Sequence, residues 1–406
     1  MELFGYVLQN LAKRPARTAF VAGAGFLASL VLVFAFALGS RVRDHIRVDT
    51  QAKWTGHLWV SAEEGFQFQE QDSGRYRRQA EAVREVLGQH PNTDILTPWV
   101  QGWFEMQAGN SRSFLMISAT DFSLDRPFRD QTELADGAFP GQEDDFGCLL
   151  STSLAARHGL GVGDSITLFI PSVFGARNAM DFPITGLFRA SAPWYDDSAV
   201  IRAQDYAELS ELAGGLMPFY KVYVKKEAGI SAMTAAINAR LTDFRAKGYR
   251  DDEFVRFLLS LGLSNILFFG FLAMIVFLAL LIGIRSVIMT NIFDRRDEIG
   301  TLRAIGFPRG TVQALFLGET LIGLAAGYLL GALGVAACAV TFRLVIVRPP
   351  LLMLQYMFGM TRLALDINAL TLGAPLVLLL AILLASTWWT VRRETEKQAV
   401  AQMAGR

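Results

Sequence analysis

His45, His57, His90 and His158 are scattered without metal-ligand spacing, and Cys148 and Cys338 lie in surroundings too different to imply a disulfide framework. Two carboxylate pairs, Asp144–Asp145 and Asp196–Asp197, have the chemistry for acid–base work. Adjacent residues tend to point different ways, so each pair reads as a solvated turn. The chain has no G-x-x-x-x-G-K-[ST] loop to cradle nucleotide phosphates, no H-E-x-x-H and no G-x-S-x-G. Catalysis and metal binding therefore have no candidate residues. The chemistry that remains is recognition, concentrated in the charged stretch DRRDEIGTLRAIGFPRG, Asp294 to Gly310. Read as a helix, it puts Ile299, Leu302 and Ile305 near one face and Arg295, Glu298 and Arg303 toward the others, with Gly306 and Pro308 ending it. A solvated connector accounts for the arginines but has no reason to keep an apolar ridge. A ridge with charged flanks suits docking into a groove on a soluble partner.

The elements that position this stretch are membrane helices. The 406 residues are 52% hydrophobic, too apolar for a soluble protein of ordinary patterning, and their net charge of zero gives no field that calls for a nucleic-acid partner. The runs between Arg17 and Arg41, Arg256 and Arg285, Glu319 and Arg343, and Asp366 and Arg392 lack formal charge for longer than the roughly 20 residues a helix needs to span a bilayer. They predict four transmembrane helices, over 17–41, 257–285, 312–342 and 368–391. The first is too long, and preceded by a separate amphipathic segment (1–16), to be a cleaved signal. Lys13, Arg14 and Arg17, then Arg285 to Arg309, then Arg392, Arg393 and Lys397 fall on one side of the membrane, which the positive-inside rule makes the cytoplasm. Both termini, the loop 286–311 and the tail 392–406 are then cytoplasmic. Residues 42–256 and the loop 343–367 lie outside.

The predicted fold is thus an α-helical membrane protein with four transmembrane helices and a large α+β extracytoplasmic domain between helices 1 and 2. In that domain HLWVSA, SFLMISAT and FYKVYVKK read as strands and RYRRQAEAVREVLGQH as a helix. ISAMTAAINARLTDFRAKG reads as a second helix, with Ile230, Met233, Ile237, Leu241 and Phe244 on one face. A β-rich part near 145–195 contains two strands, SITLFI and DFPITGLF, joined by a protruding loop of about ten residues from Pro171 to Met180. An apolar tip bearing Pro171, Phe174, Met180 and one positive charge, Arg177, suits a partner's groove better than a solvated turn. In the third span Gly323, Gly327 and Gly331 stack on one face and allow another backbone to approach. Phe268, Phe269, Phe271, Met274 and Phe277 load the second span with large groups that, as a set, could line a cavity for acyl chains. Met353, Met357 and Met360 recur at helical spacing in an apolar stretch too short to span, which reads as an interfacial helix against membrane lipid.

The stretch DEIGTLRAIGFPRGTVQALFLGET resembles the coupling segment of MacB/FtsX-type ABC transporter permeases, where an EIGxLRAIG-like run joins membrane helices two and three. LQNLAKRPART before the first span, the placing of the large domain, and LSTSLAARHGLGVGDSITL followed by FPITGLF are similar to the same family. The resemblance implies a bacterial inner-membrane subunit with a periplasmic domain that works in pairs, with an identical copy or a paralogue. It implies a separate ABC ATPase that binds ATP and Mg and docks on Glu298, Ile299, Leu302, Arg303 and Ile305. Membrane helices one and two, through the stalk segments RVRDHIRVDTQA and RDDEFVRFLLS, would carry the motion outward. Chain length, domain size and GLFRASAPWYDDSAVIRAQDYAEL are nearest to the lipoprotein-releasing LolC/LolE branch. That branch implies extraction of lipoprotein or lipid-like substrate, and a periplasmic carrier recruited by the hairpin at Pro171, Phe174, Arg177 and Met180. The run Glu298-Ile299-Gly300 is closer to MacB-like permeases, and leaves MacB-like efflux or FtsX-like signalling as the alternative.

Overall fold

The first described helix, α1, spans Pro15–Thr50. The computed structural model describes residues 15–62, 73–141, 146–212, 217–241, 244–294 and 308–381, and positions 301, 305 and 384. Residues 1–14 of the expected amphipathic segment and the tail 392–406 lie outside the described residues. The chain divides into two compact units. A helical unit comprises residues up to Arg43, Leu263–Val347 and those from Leu363 on; a sheet unit comprises Asp44–Gly262 and Arg348–Arg362.

Three described helices are long and apolar enough to cross a membrane. They are α1, α7 (Glu253–Asp294) and α8 (Arg309–Leu344). A shorter apolar helix, α10 (Ala369–Ala381), follows. Asn368 caps it, its Oδ1 accepting the N–H groups of Leu370 at 3.0 Å and Thr371 at 2.9 Å. The described part of this fourth helix is shorter than the run expected from sequence.

The described residues of the sheet unit form ten strands: β1 (Leu58–Ala62), β2 (Thr93–Ala108), β3 (Ser111–Thr120), β4 (Leu134–Gly137), β5 (Cys148–Ser151), β6 (Ser165–Pro171), β7 (Arg177–Phe188), β8 (Ser198–Arg202), β9 (Phe219–Val224) and β10 (Phe244–Gly248). Their order is β10-β1-β9-β2-β3-β8-β5-β7-β4. Strand β6 pairs with both β2 and β7, so β2, β3, β8, β5, β7 and β6 close into a ring. Closure leaves these strands few free edges. Alternate residues fill the interior: Met106, Leu115, Ile117, Leu150, Leu168 and Phe182 are fully buried. The helices are α2 (Ser73–Gly88), α3 (Arg126–Asp130), α4 (Thr152–His158), α5 (Ala203–Leu209), α6 (Ile230–Asn238) and α9 (Leu352–Phe358).

Three expectations are corrected. The long second helix of this domain stops at Asn238, and Phe244 opens strand β10 instead of closing a helical face. The alternation Phe-Arg-Ala-Lys-Gly has a period of two, with Phe244, Ala246 and Gly248 buried and Arg245 and Lys247 exposed. Asn238 fastens the junction, its side chain pairing with both backbone groups of Ala246. Second, the protruding ten-residue loop is shorter than expected. Pairing continues to Pro171–Arg177, which leaves a turn of 172–176 closed by Ser172 N–H donating to the Ala176 carbonyl at 2.7 Å. Third, Met353, Met357 and Met360 do not form one continuous face. Helix α9 ends at Phe358 on a left-handed Gly359, leaving Met353 exposed and Met360 buried. Thr361 then ties the segment to the Ala190 and Ser191 carbonyls.

Candidate functional site

The helical unit is assembled by glycine. Gly323, Gly327 and Gly331 lie along the face of α8 that meets α1. A Cβ on Gly327 would overlap the Ala22 carbonyl oxygen and stand 2.8 Å from the Phe26 nitrogen. One on Gly331 would collide with Ser29 Oγ and stand 2.6 Å from the Phe26 carbonyl oxygen. At Gly323 the nearest group is the Val21 side chain at 3.1 Å. From the other side, a Cβ on Gly25 of α1 would come within 2.9 Å of the Leu324 carbonyl oxygen. The two backbones approach too closely for side chains between them. The Tyr328 hydroxyl donates to the Leu372 carbonyl, joining α8 to α10. Arg41 stands 4.0 Å from Asp366.

Helix α7 is treated differently. Only 17% of its most apolar stretch is buried, against 56% for α1. Phe268, Phe271 and Met274 are exposed, with Leu267, Ile275 and Ile282, while Phe269 is half-buried with its ring against that of Phe268. The Phe277 side chain lies outside the described residues. Asn265 is buried, as is Glu319 on α8.

Of the charged stretch Asp294–Gly310, Glu298, Ile299, Leu302 and Arg303 lie outside the described residues. Thr301 is helical, and the Ile305 N–H donates to its carbonyl at 3.0 Å, one helical turn. The Ile305 side chain is 70% exposed.

The hairpin tip is fastened to its own domain. Val173 N–H donates to the Ser210 carbonyl at 2.9 Å, and Asn178 Nδ2 to the Leu209 carbonyl at 2.7 Å. Arg177 lies over the Phe169 ring, 5.1 Å from its centroid, and pairs with Glu105. Phe174 and Met180 remain exposed.

Sequence reasoning missed a charge cluster at the centre of the sheet unit. Lys221 and Asp125 pair at 2.5 Å with both side chains fully buried. The Asp125 carboxylate also accepts from Thr120 Oγ1 at 2.8 Å, Tyr223 Oη at 3.0 Å and the Phe128 N–H at 3.2 Å. The Lys221 ammonium donates to the Ala52 carbonyl at 2.8 Å and stands 3.6 Å from the centroid of the Trp99 ring. Burial pushes the Lys221 pKa down, and Asp125 opposes that shift. Ala52 belongs to the π-helical turn Gln51–Thr55 that follows α1. In that turn Lys53 stands 2.9 Å from Asp49, and Ser191 Oγ donates to Asp49 at 2.6 Å. The end of this stalk segment is therefore held by charges buried within the sheet unit. A lone lysine inside the apolar run Phe219–Val224, and an aspartate before Arg126-Pro127 as a helix cap, were the available signals. The pair Asp196–Asp197 acts locally: Asp196 accepts from Ser153 Oγ at 2.8 Å, and Asp197 pairs with Arg157. Asp144–Asp145 lies outside the described residues.

Residues 257–398 match the family described as FtsX-like permease C-terminal. No curated protein matches the chain. Among solved structures, the periplasmic region of MacB from Actinobacillus actinomycetemcomitans is similar at 12% identity, covering 50% of this chain and 93% of its own, with a TM-score of 0.33. The extracellular domain of the noncanonic ABC-type transporter YknZ from Gram-positive bacteria is similar at 9% identity, covering 47% and 98%, with a TM-score of 0.30. A domain of a putative permease protein from Porphyromonas gingivalis is similar at 17% identity, covering 47% and 85%, with a TM-score of 0.28.

Proposed function

We propose, for a chain that is a MacB/FtsX-type permease, that it is the membrane subunit of a mechanotransmitting ABC transporter acting on lipoprotein or lipid-like substrate in the inner membrane. The match of residues 257–398 to the permease family is the observation that carries this reading. A separate ATPase subunit binds ATP and Mg and docks on the segment of Glu298, Ile299, Leu302, Arg303 and Ile305. The exposed Ile305 side chain supports a ridge available to such a partner. Four membrane helices with cytoplasmic termini, and pairing with a second permease copy or paralogue, complete the assembly.

The substrate path runs along α7. Phe268, Phe269 and Met274, set across from a second permease, would wall a cavity for acyl chains; the exposure of Phe268 and Met274 within this chain supports that use. Photocrosslinkers at Phe268 and Met274 are expected to capture lipid or lipid-linked protein. Capture of the neighbouring permease alone would overturn the cavity.

The hairpin of Pro171, Phe174, Arg177 and Met180 would recruit a periplasmic carrier. Exposed Phe174 and Met180 support a docking surface, and the fastened tip supplies it without a long loop to order. Replacing 172–176 by a short Asn-Gly turn is expected to stop transfer to the carrier while ATPase association persists. Undiminished transfer would overturn the recruiting role.

A further inference from the structure

The sheet unit holds an open cleft of about 810 Å³, within the range of small-molecule sites. It is lined by residues of α2, β2, the β3–α3 loop, α3, the segment after β4, and α5, so distant parts of the sequence converge on it. Among the described residues its charged lining comprises Arg84, Arg129 and Arg202 and one acid, Asp121. That acid is engaged by its own turn, accepting from the Ser123 N–H at 2.8 Å and Ser123 Oγ at 2.6 Å. Arg202 is locked in place by Asp205, with Nε and Nη2 donating at 2.8 and 2.6 Å. Arg84 and Arg129 stand at the exposed rim, and Arg129 is stacked over Phe139, 5.5 Å from its centroid. The rest of the wall is largely apolar, with Pro98, Phe122, Phe139, Ala203, Ala207 and Met217.

We infer that this cleft is a binding site for a single-headed anionic amphiphile, a carboxylate or phosphate on an apolar chain. A positive rim over an apolar floor selects both halves of such a molecule: guanidinium groups hold the head through charge-assisted hydrogen bonds, while the floor removes the chain from water. A neutral analogue keeps only the second half. The site also touches the buried charge cluster. Thr120 lines the cleft, and its hydroxyl donates to Asp125, which holds Lys221 on the Ala52 carbonyl. Occupancy therefore bears on residues that grip the stalk end, yet the site stands whether or not the helical unit moves lipid.

The test uses the full-length chain in detergent with a diazirine-bearing octanoic acid, the matching octanol, and the matching octyl phosphate. Peptide mapping is expected to find label from the acid and the phosphate on peptides carrying Phe122, Phe139 or Gln204, exceeding that from the alcohol by about tenfold, as one charged hydrogen bond allows. The double variant Arg84→Gln, Arg129→Gln is expected to lower acid labelling by about tenfold while leaving alcohol labelling unchanged. Both arginines are exposed, so the fold is retained; Gln204→Trp, which narrows the cleft and leaves both arginines in place, should block all three probes. Labelling by phosphate and not by carboxylate would narrow the head to a phosphate. Labelling by neither anion above that by the alcohol, anion labelling untouched by the double variant, or label confined to the membrane helices would overturn the site.

Discussion

The two units of this molecule handle what water will not tolerate in opposite ways. The sheet unit draws its awkward groups inward and satisfies them. Lys221 and Asp125 are fully buried, and the carboxylate has donors from Thr120, Tyr223, Phe128 and Lys221. The helical unit packs its glycines inward, against the α1 backbone, and turns large apolar groups such as Phe268, Phe271 and Ile282 outward. The sheet unit is self-sufficient, because each member of that cluster finds its partner inside the same unit. The helical unit leaves an apolar face of α7 exposed within this chain.

The comparison breaks most severely at the buried charges. Lys221→Met leaves Asp125 buried without its cation and is expected to cost about 3–5 kcal/mol, read as lower resistance to denaturant. Replacing both residues by apolar ones of similar size should recover much of that loss, as removing a buried pair together often does. A single variant as stable as the parent would mean the pair is not buried as described.

In the helical unit the sharpest contrast lies between two glycines. Gly327→Leu drives a side chain into the α1 backbone and is expected to lower thermal stability in detergent by about 1–3 kcal/mol or more. Gly270 on α7 has nothing within 4 Å of its Cβ position, so Gly270→Leu should be neutral, or stabilising by up to about 1 kcal/mol through helix propensity. Equal effects at the two positions would erase the distinction between a closed face and an open one.

The smallest effect concerns acid. His57 Nδ1 accepts the Val224 N–H at 3.1 Å, and the ring stands edge-on to Tyr223, 5.7 Å between centroids. Burial pushes its pKa below the ordinary value. The unfolded residue takes up a proton near pH 6.5 while the folded one resists, so this stability is present above about pH 6.5 and is lost as pH falls toward the depressed value. Denaturation at about pH 7.5 and about pH 5.5 should show that loss, and His57→Gln should reduce it.

The sequence made the helices legible because their apolar runs are long, and the glycine face legible because a spacing of four keeps Gly323, Gly327 and Gly331 on one side. Strand β2 was not legible: Thr93–Ala108 interrupts its alternation with Pro98 and Gly102. Phe244 reads as helical in sequence because Ile230, Met233, Ile237 and Leu241 set a helical period that chance extends by one residue. Ring closure through β6 depends on the pairs from Glu105–Phe169 to Gln107–Thr167, long-range contacts that leave no local mark. Lys221 and Asp125 lie 96 residues apart and carry no motif, so their pairing emerges only once β9 is laid beside β2.

The central claim is that this chain is a membrane subunit driven by a separate ATPase through the Asp294–Gly310 segment. The direct measurement is purification of the tagged chain from native membranes in mild detergent, with and without Leu302→Asp and Arg303→Asp together, followed by identification of the associated subunits. The account predicts that a P-loop ATPase accompanies the parent chain and is lost from the double variant, while the sheet unit of that variant stays folded. An ATPase that co-purifies in full amount with both replacements would contradict the account.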